Sequence, residues 1–382
     1  MNAPLIIIGS GFAAYQLVKT LRRKDSDIPV LLFTADNGDE YNKPDLSHVF
    51  TRKQCADDLI SMTGEKFAKQ YQIELFANTR IEEIDTKSRA ITANGACYHY
   101  SKLVIATGAR TFLPTLSGNA TDEIITLNSL QEYRTAENRI ADSNRVLIMG
   151  GGLIGTELAM DLATSGKQVQ ILEPGEHLMA SLMPDFVATA LEKQLRNNGV
   201  QVECLDSVTS INRLDNYLSV TTKKGIHYQT DCVISAAGLI PNTELAKQAG
   251  AQINRGIVVD KQLKTSLDDI YALGDCAEIN GKVMAFLQPI ILSANTLAST
   301  LLTEQTSLTI PAMMVKVKTP KYPIQLGGSY TPDSNWQVDF STQGVIAKAY
   351  DQEQRMTGFV VTQDNLTQAF PLFREMQTDN HN

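Results

Sequence analysis

The chain lacks any cysteine pair at a spacing that redox or metal chemistry uses. Its five cysteines, Cys55, Cys97, Cys204, Cys232 and Cys276, are scattered and odd in number. With no Cys-x2-Cys or Cys-x4-Cys among them, a disulfide framework or a zinc site is not expected. Nor is there a run of about 18 apolar residues, so no membrane-spanning helix is expected. Residues 1–12 carry neither a basic stretch nor a cleavage site, and a soluble, cytoplasmic protein is the expectation. Positive charge is in short supply too: 34 Lys and Arg stand against 42 Asp and Glu, a net charge of −8. That balance disfavours nucleic acid or an anionic membrane as the main partner and leaves room only for a local basic patch.

What is present is a repeated α/β pattern. At 382 residues, 43% hydrophobic and 20% charged, the chain is ordinary globular material for two or three domains. Buried-strand runs are expected at Leu5–Ile8, Val30–Phe33, Lys102–Ala106, Arg145–Met149, Val169–Leu172 and Cys232–Ala236. Helical patterns between them include Phe12–Arg23, Ile154–Thr164 and Pro184–Asn197. This alternation is that of βαβ units on a parallel sheet. Two openings match, "PLIIIGSGF" and "RVLIMGGGL", and two closings match, "YSKLVIATGAR" and "TDCVISAAGLIPN", so one nucleotide-binding unit occurs twice. After about residue 310 the pattern changes to short alternating strands, "AMMVKVKTP", "WQVDF", "GVIAKAY" and "MTGFVVT", as in a sheet with one wet face. The expected architecture is two Rossmann-like domains, 1–111 with 242–312 and 112–241, plus a smaller α+β C-terminal domain, 313–382.

Each opening is a dinucleotide fingerprint. In the first, Gly9 permits the tight turn, Gly11 lets backbone approach a pyrophosphate, and Ala14 lets helix and strand pack closely. The second has Gly150, Gly152 and Gly155 in those roles. The following helix offers unpaired N–H groups and partial positive charge to the phosphates. A ribose-binding acid belongs at the end of the next strand. Glu173 stands there in the second unit, with no arginine following to welcome a 2′-phosphate, which indicates NAD(H) rather than NADP(H). In the first unit Asp36 comes a residue or two late and serves equally well as a turn former before Asn-Gly. Two fingerprints suggest two dinucleotides, and FAD with NADH is the natural pair. In "TSLDDIYALGDCAEING" a strand ends in Gly274 and Asp275: the glycine permits close approach, and the carboxylate accepts a bond from a hydroxyl such as a ribityl chain's.

With that string the chain resembles the rubredoxin reductases of the two-dinucleotide pyridine nucleotide:disulfide reductase superfamily. The likeness also rests on "GSGFAAYQLVK", "DEYNKPDLSHV", "LNSLQEYR", "FLQPIILSA" and "PAMMVKVKTP". The resemblance implies that Gly9, Gly11, Ala14, Thr107, Gly108 and Asp275 touch FAD, and that Gly150, Gly152, Gly155 and Glu173 touch NADH. It places Lys43 and Lys318 near the isoalloxazine ring, whereas either alone reads as a solvated surface charge. Glu157 approaches the nicotinamide or a flavin-site lysine, or is a helix-first-turn carboxylate stabilised by the dipole.

The superfamily's disulfide reductases pass electrons to a cysteine pair beside the flavin, and this chain has none, so its electrons must leave for an outside acceptor. The implied acceptor is a rubredoxin, or the rubredoxin centre of flavorubredoxin, a diiron nitric oxide reductase. The chain then serves nitric oxide detoxification. A rubredoxin or ferredoxin reductase of another electron-transfer chain is a near alternative. A redox-sensing binding protein similar to apoptosis-inducing factor is a more distant one. For an acidic carrier, Lys316 and Lys318 are expected on one strand face, with Lys321 following, as the basic patch.

Overall fold

The computed structural model describes residues 3–24, 27–302, 306–331, 334–342 and 344–379. Leu5–Ile8 is four apolar residues buried on both faces, as the middle strand of an all-parallel sheet must be. Across the sheet the order is Ile270–Ala272, Lys102–Ile105, Leu5–Ile8, Val30–Phe33, Glu74–Phe76, every pair parallel. Helix Phe12–Lys24 buries Ala14, Leu17, Val18 and Leu21, a stripe at helical spacing that seats it on the sheet.

The second unit repeats this plan strand for strand: Ile125–Thr126, Cys232–Ser235, Arg145–Met149, Gln168–Glu173, Val200–Cys204, again all parallel. Its glycine turn leads into helix Leu153–Thr164, one residue earlier than expected, and the later helix is Asp185–Asn197. Each unit also carries a three-stranded antiparallel meander, in the first between strands Glu74–Phe76 and Lys102–Ile105 and in the second between Val200–Cys204 and Cys232–Ser235. These are Ile81–Asp85, Ala90–Ala93, Ala96–His99 and Val208–Leu214, Tyr217–Thr222, His227–Thr230. Neither was foreseen, although Asn94-Gly95, with φ of 49° and 72°, is a strong two-residue hairpin signal.

The tail is a five-stranded antiparallel sheet, ordered Met314–Val317, Ile324–Gly328, Met356–Thr362, Gly344–Tyr350, Asn335–Ser341. Helix Ala369–Asp379 follows, and its Leu372 and Met376 pack on Phe359. The second of these strands was not among those expected. In place, a Cβ at Gly327 would come within 2.7 Å of the Phe359 ring, so the glycine makes room for a core aromatic.

One buried apolar cluster joins all three parts, with Leu46 and Val49, Met160 and Leu162, and Val317, Ile324 and Leu326 in it. A carboxylate reinforces the joint. Asp161 is buried, and its Oδ2 accepts the backbone N–H of Phe50 at 2.8 Å and of Thr51 at 3.2 Å. Asp161→Ala strands both donors, so we expect a loss of about 1–3 kcal/mol, read as a lower midpoint in reversible denaturant unfolding. Among the described residues no helix is long and apolar enough to cross a membrane.

Candidate active site

A single cavity of about 1710 Å³ runs past the first glycine turn to the second-unit helix and the C-terminal sheet. The first turn lines this cavity, and the second, Gly150 to Gly152, is built like it. The N–H of Gly9 donates to Phe33 O and that of Gly150 to Leu172 O, both at 2.8 Å. Their φ values are +114° and +102°, and a Cβ at either would collide with the carbonyl of the alanine just past the neighbouring strand, Ala106 or Ala236. Only glycine fits such a turn. Gly11 and Gly152, by contrast, face nothing within 4 Å. The helices behind them carry no acid in their first turns. Open space before an acid-free helix N-terminus fits a pyrophosphate. Ala14 is fully buried, and a side chain at Gly155 would strike the carbonyl of Gly150.

The acids follow the same geometry by different routes. Glu173 ends its strand, and its two carboxylate oxygens accept the N–H groups of Gly151 and Gly175, each at 2.6 Å. The matching register places Thr34, not Asp36, opposite Glu173. Asp36 comes two residues late but reaches back: its Oδ1 accepts from Ser10 Oγ at 2.9 Å, Thr34 Oγ1 at 2.8 Å and the Gly38 N–H at 2.9 Å. In both units the carboxylate is thus held by the middle residue of the Gly-x-Gly turn and by the residue two places after the acid. The turn-former reading of Asp36 holds as well, since the Gly38 bond is an Asx turn.

Thr107 and Gly108 line the cavity where the chain crosses to the second unit. Thr107 Oγ1 donates to Asn242 O at 2.9 Å, and Asn242 Nδ2 donates back to Thr107 O at 2.8 Å. Gly274, at φ +84°, leaves 2.7 Å between a would-be Cβ and Ala13. Asp275 Oδ2 lies 3.5 Å from Lys43 Nζ, which brings two expected site residues together. Cys276 beside it is fully buried, and burial pushes its thiol up to about 11, so it carries no thiolate at neutral pH. Sequence reasoning missed helix Leu287–Leu301 as part of the site. No side chain caps it, and its first residues, Leu287 and Gln288, line the cavity with Phe286, presenting partial positive charge.

Glu157 is buried and is not in the helix's first turn, since the helix begins at Leu153. Its Oε2 accepts Ser47 Oγ at 2.8 Å and its Oε1 accepts the backbone N–H of Lys318 at 2.7 Å, so it ties the three parts together at the cavity wall. The Lys318 ammonium does not reach it but donates to Pro44 O at 3.3 Å. The expected basic face is also revised. The strand ends at Val317, Lys318 turns inward, and Lys321 donates to Asn198 Oδ1 at 2.7 Å. Of the three lysines, Lys316 alone is both exposed and on the cavity rim.

A family model described as pyridine nucleotide-disulphide oxidoreductase matches residues 3–296. The chain belongs to the pyridine nucleotide-disulphide oxidoreductase family. This oxidoreductase uses FAD and a nicotinamide nucleotide, and a second model, the rubredoxin binding C-terminal domain, matches its residues 307–376. It is 54% identical over 381 residues, all of both chains, to the nitric oxide reductase FlRd-NAD(+) reductase of Aliivibrio fischeri. The protein of that name from Escherichia coli (strain K12 / DH10B) is 45% identical, with 98% of this chain and all of that one covered. Among solved structures, the ferredoxin reductase for the CYP199A2 system of Rhodopseudomonas palustris is similar at a TM-score of 0.86 and 25% identity, covering 94% and 91% of the two chains. Putidaredoxin reductase in its complex with putidaredoxin shares the fold, at a TM-score of 0.89 and 22% identity over 99% and 94%.

Proposed function

We infer that this reductase takes electrons from NADH and hands them singly to the rubredoxin centre of flavorubredoxin in the cytoplasm, in support of nitric oxide removal. One observation carries the reading. Residues 313–316 and Lys318, within the stretch matched as rubredoxin-binding, form a wall of the cavity that the first glycine turn and the second-unit helix also line. A carrier held by that domain therefore has a short way to the site. The division into units 1–111 with 242–312, 112–241 and 313–382 belongs to the same reading.

FAD would be held by Gly9, Gly11, Ala14, Asp36, Thr107, Gly108, Gly274 and Asp275, and NADH by Gly150, Gly152, Gly155 and Glu173. Bound there, FAD supplies the step between a two-electron hydride and one-electron transfer. The chain's part is electrostatic and positional. Lys43, Lys318 and the uncapped end of helix Leu287–Leu301 bring positive charge to parts of the cavity wall, which favours negative charge developing beside them. Asp275 holds Lys43 in place, and Glu157 fixes the Lys318 backbone.

Purified holoenzyme tested with flavorubredoxin, rubredoxin and a [2Fe–2S] ferredoxin decides the carrier: the first two should be reduced at least about tenfold faster, and a preference for ferredoxin would sink the proposal. Lys316→Glu should slow carrier reduction several-fold at low salt and flatten its salt dependence, leaving flavin reduction by NADH unchanged in stopped flow.

A further inference from the structure

His48 is a buried histidine that the chemistry above leaves idle. Its Nε2 is out of contact with solvent and has no hydrogen-bond partner. It lies 3.7 Å from Glu157 Oε2, too far for a hydrogen bond and close enough that a shift of about 1 Å would make one. Native proteins seldom leave a buried ring nitrogen unpaired without reason. Here the carboxylate it faces already holds Ser47 Oγ and the Lys318 N–H. Ser47, Glu157 and Lys318 all line the cavity. His48 therefore stands behind the wall, one carboxylate away from whatever occupies it.

The charges around the ring are balanced. Burial and the cations Lys318 and Arg52 disfavour the imidazolium, while Glu157 and Asp161, both on helix Leu153–Thr164, favour it; burial is the largest effect and holds the imidazole below its ordinary 6.5. At neutral pH the ring is uncharged. One more negative charge in the cavity shifts that balance toward the cation.

We propose that His48 is a positioning residue that couples a proton to flavin reduction, becoming an imidazolium paired with Glu157 when the cavity receives a hydride. The proposal rests on the FAD and NADH reading. The hydride brings two electrons and one proton and adds one negative charge, and His48 takes a second proton from solvent water. When both electrons have passed to the carrier, the hydride's proton and that of His48 return to solvent. The new ion pair draws together the first unit, which carries His48, and the second, which carries Glu157.

The test is a proton count on the holoenzyme. During anaerobic reduction near pH 7, followed with an indicator dye, wild type should take up one proton per flavin more than His48→Gln. The slope of its midpoint potential against pH should be about twice the variant's, since two protons rather than one accompany two electrons. His48→Lys, with a permanent cation, should show the shallow slope as well. Equal counts and slopes in wild type and His48→Gln would overturn the proposal. Nitrogen-15 spectra of the unmodified protein give an answer that no folding defect can blur: one of its five histidines should pass from imidazole to imidazolium on reduction. A spectrum in which none does defeats the idea. Loss of flavin, or failure of NADH to reduce the wild type, would instead count against the cofactor reading.

Discussion

Gly150→Val should give a yellow protein that NADH reduces at least about 10²-fold more slowly. Two features of the second turn require this. The residue sits at φ +102°, a conformation that side chains with a Cβ rarely adopt, and its Cβ would lie 2.5 Å from the carbonyl oxygen of Ala236. The turn must open or the neighbouring strand must move. Either displaces Gly152 and the helix N-terminus behind it that a pyrophosphate would use, and displacements near 1 Å cost on the order of 10² in rate. The first unit has its own sheet, turn and acid, so flavin content, read from visible absorbance, should be retained. Gly9→Val is the mirror experiment: by the same collision, with Ala106, it should yield colourless protein. A Gly150→Val enzyme reduced at the wild-type rate would mean that the nicotinamide nucleotide does not lie across this turn.

Much of this arrangement was legible because it is local. A strand buried on both faces has to be an unbroken apolar run, and the turn after it has to be glycine, so "LIIIGSG" and "VLIMGGG" announce themselves. The strand and helix limits deduced from them stand within one residue of those observed, as with Leu153 against Ile154 and Asp185 against Pro184. The meanders were hidden by composition: "IEEIDTKSRAITANGACYHY" mixes charged and apolar residues whose alternation is interrupted by bulges and turns. Asp36 was ambiguous because its role is set by register. Nothing in the string says that the carboxylate bends back two residues to reach Ser10. The position of Glu157 on its helix was readable, but its partners were not, since Ser47 and the Lys318 N–H are 110 and 161 residues away. Lys318 likewise looked like the partner of Lys316 on a strand face until the strand was seen to end between them. His48 drew no notice at all, because a burial defect is not a sequence property.

Glu173→Arg should invert the nucleotide preference, from NADH to NADPH, with catalytic efficiency on NADH falling by about 10²-fold. The carboxylate now accepts two N–H groups at 2.6 Å, which fixes it at the strand end where an adenosine ribose hydroxyl would donate to it. A 2′-phosphate there would set anion against anion, a juxtaposition that costs several kcal/mol. Arginine removes the repulsion and offers a bidentate partner to the phosphate, while the loss of the acceptor leaves the ribose hydroxyl of NADH unpaired. Glu173→Gln drops the charge and one of the two acceptors without adding a cation, so NADPH should gain while NADH loses about tenfold or less. Efficiencies for both nucleotides, measured with one artificial acceptor so that carrier docking does not enter, check the point. An unchanged preference in Glu173→Arg would remove Glu173 from the site. The flavin should be untouched in either variant, because Asp36, held by Ser10 and Gly38 in the other unit, shares no partner with Glu173. The duplication that built two similar sites thus leaves their acids free to be changed one at a time.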